Sequence, residues 1–128
     1  MPIQSIDHYN LRAAEEVIER LKDFYQDVLG LQIGPRPAFT TNGYWLYANS
    51  LPIVHLSVMR SGEHHPPNVA NTLDHIALTC TDFDGMVASL DSHSIRYTVD
   101  QVPGLGHRQI FFADPAGNGV ELNFVPGA

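Results

Sequence analysis

Positive charge is scarce in this sequence of 128 residues. Seven lysine and arginine residues stand against fourteen aspartate and glutamate residues, which gives a formal net charge of −7. A nucleic-acid-binding protein needs a basic face to neutralise phosphates, and binding to an anionic membrane surface needs one as well. We therefore expect neither nucleic acid nor a membrane as a partner.

Long apolar runs and an N-terminal targeting pattern are also missing. No apolar stretch approaches the roughly 18 residues that a membrane-spanning helix requires, although hydrophobic residues make up 44% of the chain. The N-terminus shows no basic stretch followed by an apolar core, so we expect no signal peptide.

Cysteine occurs once, at Cys80. A single cysteine cannot form a disulfide within its own chain, and Cys80 lies in an apolar strand pattern. It is predicted to be a small buried residue of a reducing compartment. Together with the missing signal peptide, this predicts a cytoplasmic protein.

What the sequence does contain is a short phrase that occurs twice. Ile6-Asp7-His8 opens the chain, and Leu73-Asp74-His75 repeats its aliphatic-Asp-His pattern in the second half. An internal repeat fixes the architecture, and each copy is followed by the same order of helix and strand patterns. The repeat predicts two βαβββ half-modules.

The length predicts a single domain over residues 1–128. The stretch 61–72 has no periodicity and is rich in proline, glycine and asparagine, so we interpret it as the linker between half-modules at about 1–60 and 73–128. About a dozen residues make a connection inside one domain.

Periodicity places the individual elements. Residues 3–11 alternate as a strand, and residues 13–29 repeat apolar positions at helical spacing up to a stop at Gly30. In the second half, Thr81 is the predicted N-cap of a helix, with Asp84 three residues on. Further strands are predicted at residues 31–33, 44–48, 53–59, 73–80, 95–99, 107–112 and 120–125.

Strand alternation separates an apolar face from an unusual polar face. In residues 53–59, His55 lies opposite three aliphatic residues, and in residues 120–125, Glu121 does the same. These strands contain no lysine, which an exposed sheet face would commonly carry. We therefore predict an α+β fold in which a mixed sheet curls around a metal pocket, with the helices on the outer face.

Four side chains at matching places in the two halves could bind a metal ion. A lone strand histidine is more often a structural residue than a ligand, but four donors at matching positions on inward faces favour a shared site. Imidazole suits Zn, Fe and Ni, and carboxylate also suits Mn. We predict a divalent metal cofactor (Fe, Mn, Ni or Zn) with the ligands His8, His55, His75 and Glu121. The candidates for substrate contact are His107, Arg108 and Tyr44.

Three motifs together resemble the vicinal oxygen chelate superfamily. They are Ile6-Asp7-His8, the helix end Phe24-Tyr25-Gln26-Asp27-Val28-Leu29-Gly30-Leu31, and Asp114-Pro115-Ala116-Gly117-Asn118-Gly119-Val120-Glu121-Leu122. That superfamily includes glyoxalase I, methylmalonyl-CoA epimerase, extradiol dioxygenases, fosfomycin-modifying enzymes and bleomycin-resistance proteins. The resemblance covers essentially the whole chain.

The resemblance implies a fold and a ligand set. Members pair βαβββ modules whose sheet cups a divalent metal, with ligands from the first, fourth, fifth and eighth strands. Those positions are occupied here by His8, His55, His75 and Glu121. Short members usually dimerise, so the resemblance also implies a homodimer that acts on a small-molecule substrate.

The resemblance leaves the activity open between two kinds of enzyme. Extradiol dioxygenases use two histidines and a glutamate, which His8, His75 and Glu121 match. The fourth donor favours a lyase or isomerase of the glyoxalase or epimerase type, although glyoxalase I usually has glutamate where this chain has His55. In either case, His55 and Glu121 are the predicted catalytic residues. The alternative is a metal-free protein that binds a small molecule or drug, as bleomycin-resistance proteins do.

Overall fold

The computed structural model describes residues 2–126 and divides the chain into two compact units. The first unit ends at Pro67 and the second begins at Asn68. Each unit has its own helix and its own four-stranded sheet.

The first unit follows the order strand, helix, three strands. Its strands are β1 (Tyr9–Ala13), β2 (Gln32–Gly34), β3 (Gly43–Ala48) and β4 (Leu51–Val58), and its helix is α1 (Glu15–Asp23), which continues as a π-helical turn over Phe24–Val28. The strands lie in the order β1-β4-β3-β2. The pair β1–β4 is parallel and the other two pairs are antiparallel.

The second unit repeats this arrangement. Its elements are β5 (His75–Thr79), α2 (Phe83–Ser92), β6 (Thr98–Gln101), β7 (Arg108–Ala113) and β8 (Gly119–Phe124). The strands lie in the order β5-β8-β7-β6, and the pair β5–β8 is again parallel. The predicted α+β fold of two βαβββ half-modules is therefore confirmed, with one sheet in each half-module.

Several predicted boundaries are wrong by a few residues. The first strand begins at Tyr9 rather than at residue 3, so His8 lies just before it. The predicted helix 13–29 begins at Glu15 and changes its hydrogen bonding at Phe24. The N-cap of α2 is Asp82 rather than Thr81, and its carboxylate accepts a hydrogen bond of 3.1 Å from the Gly85 N–H.

The core of the first unit lies between α1 and the apolar face of its sheet. Ile18 and Leu21 of α1 are buried, and so are Val54 and Leu56 of β4. The spacing of the helical residues matches one face of a helix, and alternation puts the two strand residues on one face of the sheet. Gly30 takes a left-handed conformation, with φ of 79°, and ends the helix.

The second unit buries an equivalent set. Leu90 of α2 and Ile110 of β7 are fully buried, and Leu122 of β8 is only 1% exposed. Phe83 at the start of α2 meets Phe124 of β8 edge to face, with ring centroids 5.2 Å apart. The apolar strand faces thus pack against helices, as the alternation predicts. Neither α1 nor α2, nor any other helix within residues 2–126, is long and apolar enough to cross a bilayer.

The turn between β7 and β8 is built around Asp114. This carboxylate is only 5% exposed. Its Oδ1 accepts hydrogen bonds of 2.9 Å from the backbone N–H groups of Ala116 and Asn118, and the Asn118 side chain adds bonds of 3.2 and 3.0 Å. An aspartate that bonds its own following backbone is a strong turn former. The Asp-Pro-Ala-Gly-Asn motif is therefore a structural device that starts β8 at Gly119.

We expect Asp114→Ala to lower the free energy of unfolding by about 1 to 3 kcal/mol, because it removes the buried carboxylate that accepts the hydrogen bonds of the turn. Asp27→Ala is the control, since Asp27 is exposed, and it should change stability by no more than about 0.5 kcal/mol. Urea unfolding of both variants measures the difference. Equal stability of the two variants would contradict the structural role given to Asp114.

Candidate functional site

The two units place their predicted metal ligands at the same strand register. In the first unit, Asn10 pairs with His55. In the second, Ala77 pairs with Glu121. Asn10 and Ala77 each lie two residues after the first histidine of their unit, His8 and His75. Residues two apart on an extended chain point to the same face, so each unit directs one histidine and one further donor to a common face.

The aspartate before each first histidine holds its ring. Asp7 Oδ1 lies 2.7 Å from Nδ1 of His8, and Asp74 Oδ2 lies 2.8 Å from Nδ1 of His75. An ionised carboxylate only accepts hydrogen bonds, so Nδ1 carries the proton in both rings. The lone pair of the neutral imidazole is then on Nε2. A carboxylate that fixes the tautomer and orientation of a histidine in this way is characteristic of metal-binding histidines.

In the second unit, the free nitrogen of the histidine faces the second donor. Nε2 of His75 lies 3.2 Å from Oε1 of Glu121, a side chain that is 9% exposed. Two ligands of one ion, each about 2.0 to 2.2 Å from it, lie about 3.0 to 3.4 Å apart. The hydrogen bond that Nδ1 of His75 donates to Asp74, together with the charge of Glu121, raises the pKa of His75 above 6.5.

In the first unit, the two histidines stack instead. The rings of His8 and His55 are 3.7 Å apart at an interplanar angle of 13°. Trp45 stacks on His55 at 4.1 Å and 13°, which places the His55 ring between the other two. Nε2 of His55 donates to the Pro52 carbonyl at 3.0 Å, so the lone pair of this ring is on Nδ1.

Burial and the neighbouring His8 lower the pKa of His55 below 6.5. This imidazole is therefore neutral at pH 7, the form that binds a metal or accepts a proton. In a parallel stack, however, the lone pairs of two rings do not converge on one point. His8 and His55 would have to rotate before both could bind one ion.

The donor chemistry of the two pairs fits a divalent metal. Three imidazoles and one carboxylate are ligands that Fe, Mn, Ni and Zn accept. Within residues 2–126, the structure brings these donors together two at a time, and no group of three or more His, Cys, Asp or Glu side chains forms a metal site. The complete ligand set His8, His55, His75 and Glu121 stays a prediction.

The structure places Tyr44, a candidate for substrate contact, on the helix side of the sheet. Tyr44 pairs with Leu56, whose side chain is in the core. Its hydroxyl donates to Glu19 at 2.5 Å, and Lys22 lies 5.3 Å from the ring centroid. The hydrogen bond to Glu19 raises the pKa of Tyr44. The substrate role of Tyr44 stays a prediction.

The other two candidates lie at the start of β7. His107 is half-buried and its carbonyl accepts a hydrogen bond from the Val102 N–H. The guanidinium of Arg108 lies 3.9 Å from the ring centroid of Phe83, at the beginning of α2. This stacking on Phe83 is a structural role that explains the position of Arg108 without a substrate. The proposed contact of Arg108 with a substrate therefore also stays a prediction.

A cleft in the first unit contains residues that the sequence patterns do not single out. It has a volume of about 240 Å³, and its walls include His8, Arg12, Arg36, Trp45, His55 and Arg60. Trp45 is directly opposite His55 in the β3–β4 ladder. A regular two-residue turn at Asn49-Ser50 would pair Tyr44 with His55. A register shift in β3 between Leu46 and Tyr47 places Trp45 there instead, so the sequence pattern gives no signal for Trp45.

Glu63 organises one side of this cleft. Its carboxylate accepts hydrogen bonds from the backbone N–H of Arg60 at 2.7 Å and from Nη1 of Arg12 at 3.2 Å, and Nε2 of His65 lies 3.1 Å away. These contacts, with the Arg60 N–H first, lower the pKa of Glu63 to about 2. Glu63 thus fixes Arg12 and the turn that carries Arg60.

A protein family model matches most of the chain. The model described as the Glyoxalase/Bleomycin resistance protein/Dioxygenase superfamily matches residues 5–122. This range contains all four predicted metal ligands. Among curated proteins, no significant match was found.

Solved structures with the same fold include proteins of different activities. A glyoxalase/dioxygenase from Nostoc punctiforme has a TM-score of 0.75 at 20% identity, over 98% of this chain and 93% of that one. An antibiotic binding protein from Streptomyces sp. CB03234 has a TM-score of 0.71 at 22% identity, over 98% of both chains. A lactoylglutathione lyase from Agrobacterium tumefaciens has a TM-score of 0.65 at 19% identity, over 97% and 96%. At these identities, the similarity establishes the fold alone.

Glu63 should stay ionised down to about pH 2, well below the ordinary value of 4.5. Because its pKa is lowered by folding, its contribution to stability is present above pH 4.5 and is lost as the pH falls through about 2. Replacing His65 by Asn should raise this pKa, because one hydrogen bond to the carboxylate disappears. Carboxyl ¹³C NMR titration measures both values. A wild-type midpoint at 4.5 would show that Glu63 does not make these contacts in solution.

Proposed function

Since the chain belongs to the glyoxalase/bleomycin resistance protein/dioxygenase superfamily, we propose that it is a divalent-metal-dependent enzyme that acts on a small oxygen-chelating substrate. The family match also confirms the resemblance that the sequence motifs indicate. The homodimer and the cytoplasmic location stay predictions.

The observation that supports this proposal best is the repeated arrangement of aspartate, histidine and second donor. In both units, an aspartate fixes Nδ1 of the next residue, and the register directs that histidine and a second donor to one face. A structural histidine needs only one satisfied nitrogen. The repeat instead holds Nδ1 of both His8 and His75 and leaves Nε2 on the ring side away from the aspartate, where Glu121 faces it in the second unit, and this orientation is what a metal ligand requires.

We propose His8, His55, His75 and Glu121 as the residues that hold the metal. When bound, the metal would act as a Lewis acid toward two neighbouring oxygens of the substrate. The close approach of Nε2 of His75 to Oε1 of Glu121 supports this assignment. A lone pair and a carboxylate oxygen repel each other at 3.2 Å, so a proton or a metal cation must lie between them.

The protein itself offers a base and a carboxylate for proton transfer. His55 is neutral because burial lowers its pKa, and its hydrogen bond to the Pro52 carbonyl leaves Nδ1 free to accept a proton. Glu121 is buried apart from a 7% exposed fraction, so its carboxylate is shielded from bulk water. These are the two residues for which we propose catalytic roles.

The proposal covers two reaction types that make different demands on His55. An extradiol-type dioxygenase would need His8, His75 and Glu121 as ligands and leave His55 free. A lyase or isomerase of the glyoxalase or epimerase type would use all four donors. The hydrogen bond of His55 to the Pro52 carbonyl uses Nε2 and leaves Nδ1 available. This arrangement is compatible with both reaction types.

The stack of His8, His55 and Trp45 favours a second candidate function. Three stacked aromatic rings have a flat outer face at each end of the stack, on His8 and on Trp45, without the help of a metal. Such ring faces suit a protein that only binds a planar small molecule or drug. Metal retention distinguishes the two functions.

We expect protein purified without added metal, then loaded with Fe(II), Mn(II), Ni(II) or Zn(II) and desalted, to retain about one equivalent per chain. His75→Ala should retain less than about a tenth of an equivalent, because it removes a ligand. Elemental analysis measures both. His64→Ala is the matched control, since His64 is exposed in the loop before Pro67, and it should retain the metal as the wild type does.

Two results would contradict the metal-dependent function. One is a wild-type protein that retains none of the four metals. The other is equal loss of metal in the His75 and His64 variants. His55→Ala is informative in either case: retention of the metal makes His55 a free base, whereas its loss makes His55 a ligand.

The aspartates should act as positioning residues. We expect Asp74→Asn to weaken metal affinity by about 10- to 100-fold without unfolding the protein, because the amide no longer fixes Nδ1–H of His75. Competition against a chromophoric chelator measures the affinity. Asp100→Asn is the control, since Asp100 is exposed in β6 and distant in sequence from the predicted ligands. Unchanged affinity in the Asp74 variant would show that the Asp–His contact has no bearing on the metal.

A further inference from the structure

The cleft of the first unit collects positive charge in an acidic protein. The chain has only seven lysine and arginine residues and a formal charge of −7. Three of those seven, Arg12, Arg36 and Arg60, line the cleft, and no aspartate or glutamate among residues 2–126 does so. An arrangement that concentrates the scarce cations at one place is suited to binding an anion.

The three arginines differ in their charge balance. Arg12 is paired with the Glu63 carboxylate at 3.2 Å. Arg36 donates instead to the Thr41 carbonyl at 3.0 Å, and Arg60 to the Thr40 hydroxyl at 3.1 Å. Within the described part of the chain, neither Arg36 nor Arg60 forms an ion pair with a carboxylate. Two guanidinium charges therefore line the cleft without a compensating anion.

Arg36 has an unused donor. Its Nε is buried and has no hydrogen-bond partner among residues 2–126. Leaving a buried donor of a charged group unpaired costs free energy. The hydrogen-bonding capacity of this guanidinium is therefore not fully used within the described residues, and a carboxylate can bind a guanidinium through two parallel N–H bonds.

Aromatic surface lies next to these charges. Arg36 stacks on Phe39 at 4.9 Å from the ring centroid, and Phe39 lies 6.1 Å from Trp45. Phe39 is 53% exposed, so its ring is accessible from solvent. The cleft thus combines two uncompensated guanidinium groups with flat apolar rings.

We propose that this cleft binds a small organic anion, a carboxylate or phosphonate carried on a planar unsaturated group. Arg36 and Arg60 bind the anionic head, and Phe39 and Trp45 contact the planar part. The volume of about 240 Å³ is below the roughly 300 to 1,000 Å³ of typical drug-sized sites, so the ligand is small.

This inference rests on the proposed function in one respect: it names the class of substrate that would lie beside His8 and His55. The recognition of charge by Arg36 and Arg60 does not itself need a metal. Anion binding can therefore be measured in metal-free protein, independently of metal retention.

The probes are benzoate, phenylphosphonate and benzamide, titrated into chelator-treated protein. Trp45 is the only tryptophan, so its fluorescence reports binding in this cleft. We expect benzoate or phenylphosphonate to bind at least about tenfold more tightly than neutral benzamide, and to bind more weakly at high salt. Cyclohexanecarboxylate, which has the charge but no planar ring, should bind more weakly than benzoate.

Matched variants separate local recognition from net charge. Arg36→Met and Arg60→Met should each weaken binding of the anions by about tenfold and leave benzamide unchanged. Arg96→Met removes the same charge at an exposed position of the second unit and should have no effect. Because Arg36→Met could disturb the loop, Arg36→Lys is included, and it should recover part of the affinity. Circular dichroism checks the fold of every variant.

The inference is overturned if both anions bind no better than benzamide, or if Arg96→Met weakens binding as much as Arg36→Met does. Anion binding in a protein that retains no metal would support the cleft and contradict the metal-dependent function. Metal retention without a preference for the anions would support the metal-dependent function and contradict the proposed anion site.

Discussion

The hydrogen bond from Nδ1 of a histidine to the aspartate before it is the interaction on which the candidate site depends. It occurs once in each unit, at 2.7 Å in Asp7–His8 and at 2.8 Å in Asp74–His75. Because it fixes a proton on Nδ1, the lone pair of each ring in its neutral form is on Nε2. Without it, either ring could take the other tautomer and turn its proton toward the metal position.

The sheet topology gives this interaction its partner. In each unit, the strand that follows the first histidine runs parallel to the last strand of the same sheet, and the register brings a second donor to the same face. The two units differ in what that donor is. In the second unit, a buried carboxylate lies 3.2 Å from Nε2 of the histidine, whereas in the first unit His55 is a neutral imidazole held between His8 and Trp45. The two donors of the second unit, His75 and Glu121, are therefore already placed to share a cation, whereas His8 and His55 in the first unit would first have to rotate.

The fold and the histidine repeat can be predicted from the sequence because both follow from period-two alternation and internal repetition. The π-helical turn after Asp23 cannot, because an apolar pattern does not distinguish i+4 from i+5 hydrogen bonds. Arg36 and Arg60 are not recognisable as a pair either. They lie in or beside the irregular segments around residues 34–43 and 60–72, where position in the sequence gives no orientation. The position of Trp45 opposite His55 cannot be predicted either, because it depends on a register shift between Leu46 and Tyr47 that the alternation does not reveal.

The central claim is that Nε2 of His8 and His75 are metal-binding atoms. The most direct measurement is anomalous diffraction from a crystal of the protein loaded with Co(II), which accepts the same imidazole and carboxylate ligands as Fe, Mn, Ni and Zn. The account predicts an anomalous peak about 2.0 to 2.2 Å from Nε2 of His75 and from a carboxylate oxygen of Glu121, with Asp74 still bonded to Nδ1. A peak on the Nδ1 side of His75, or one only at the loop histidines His64 and His65, would contradict it.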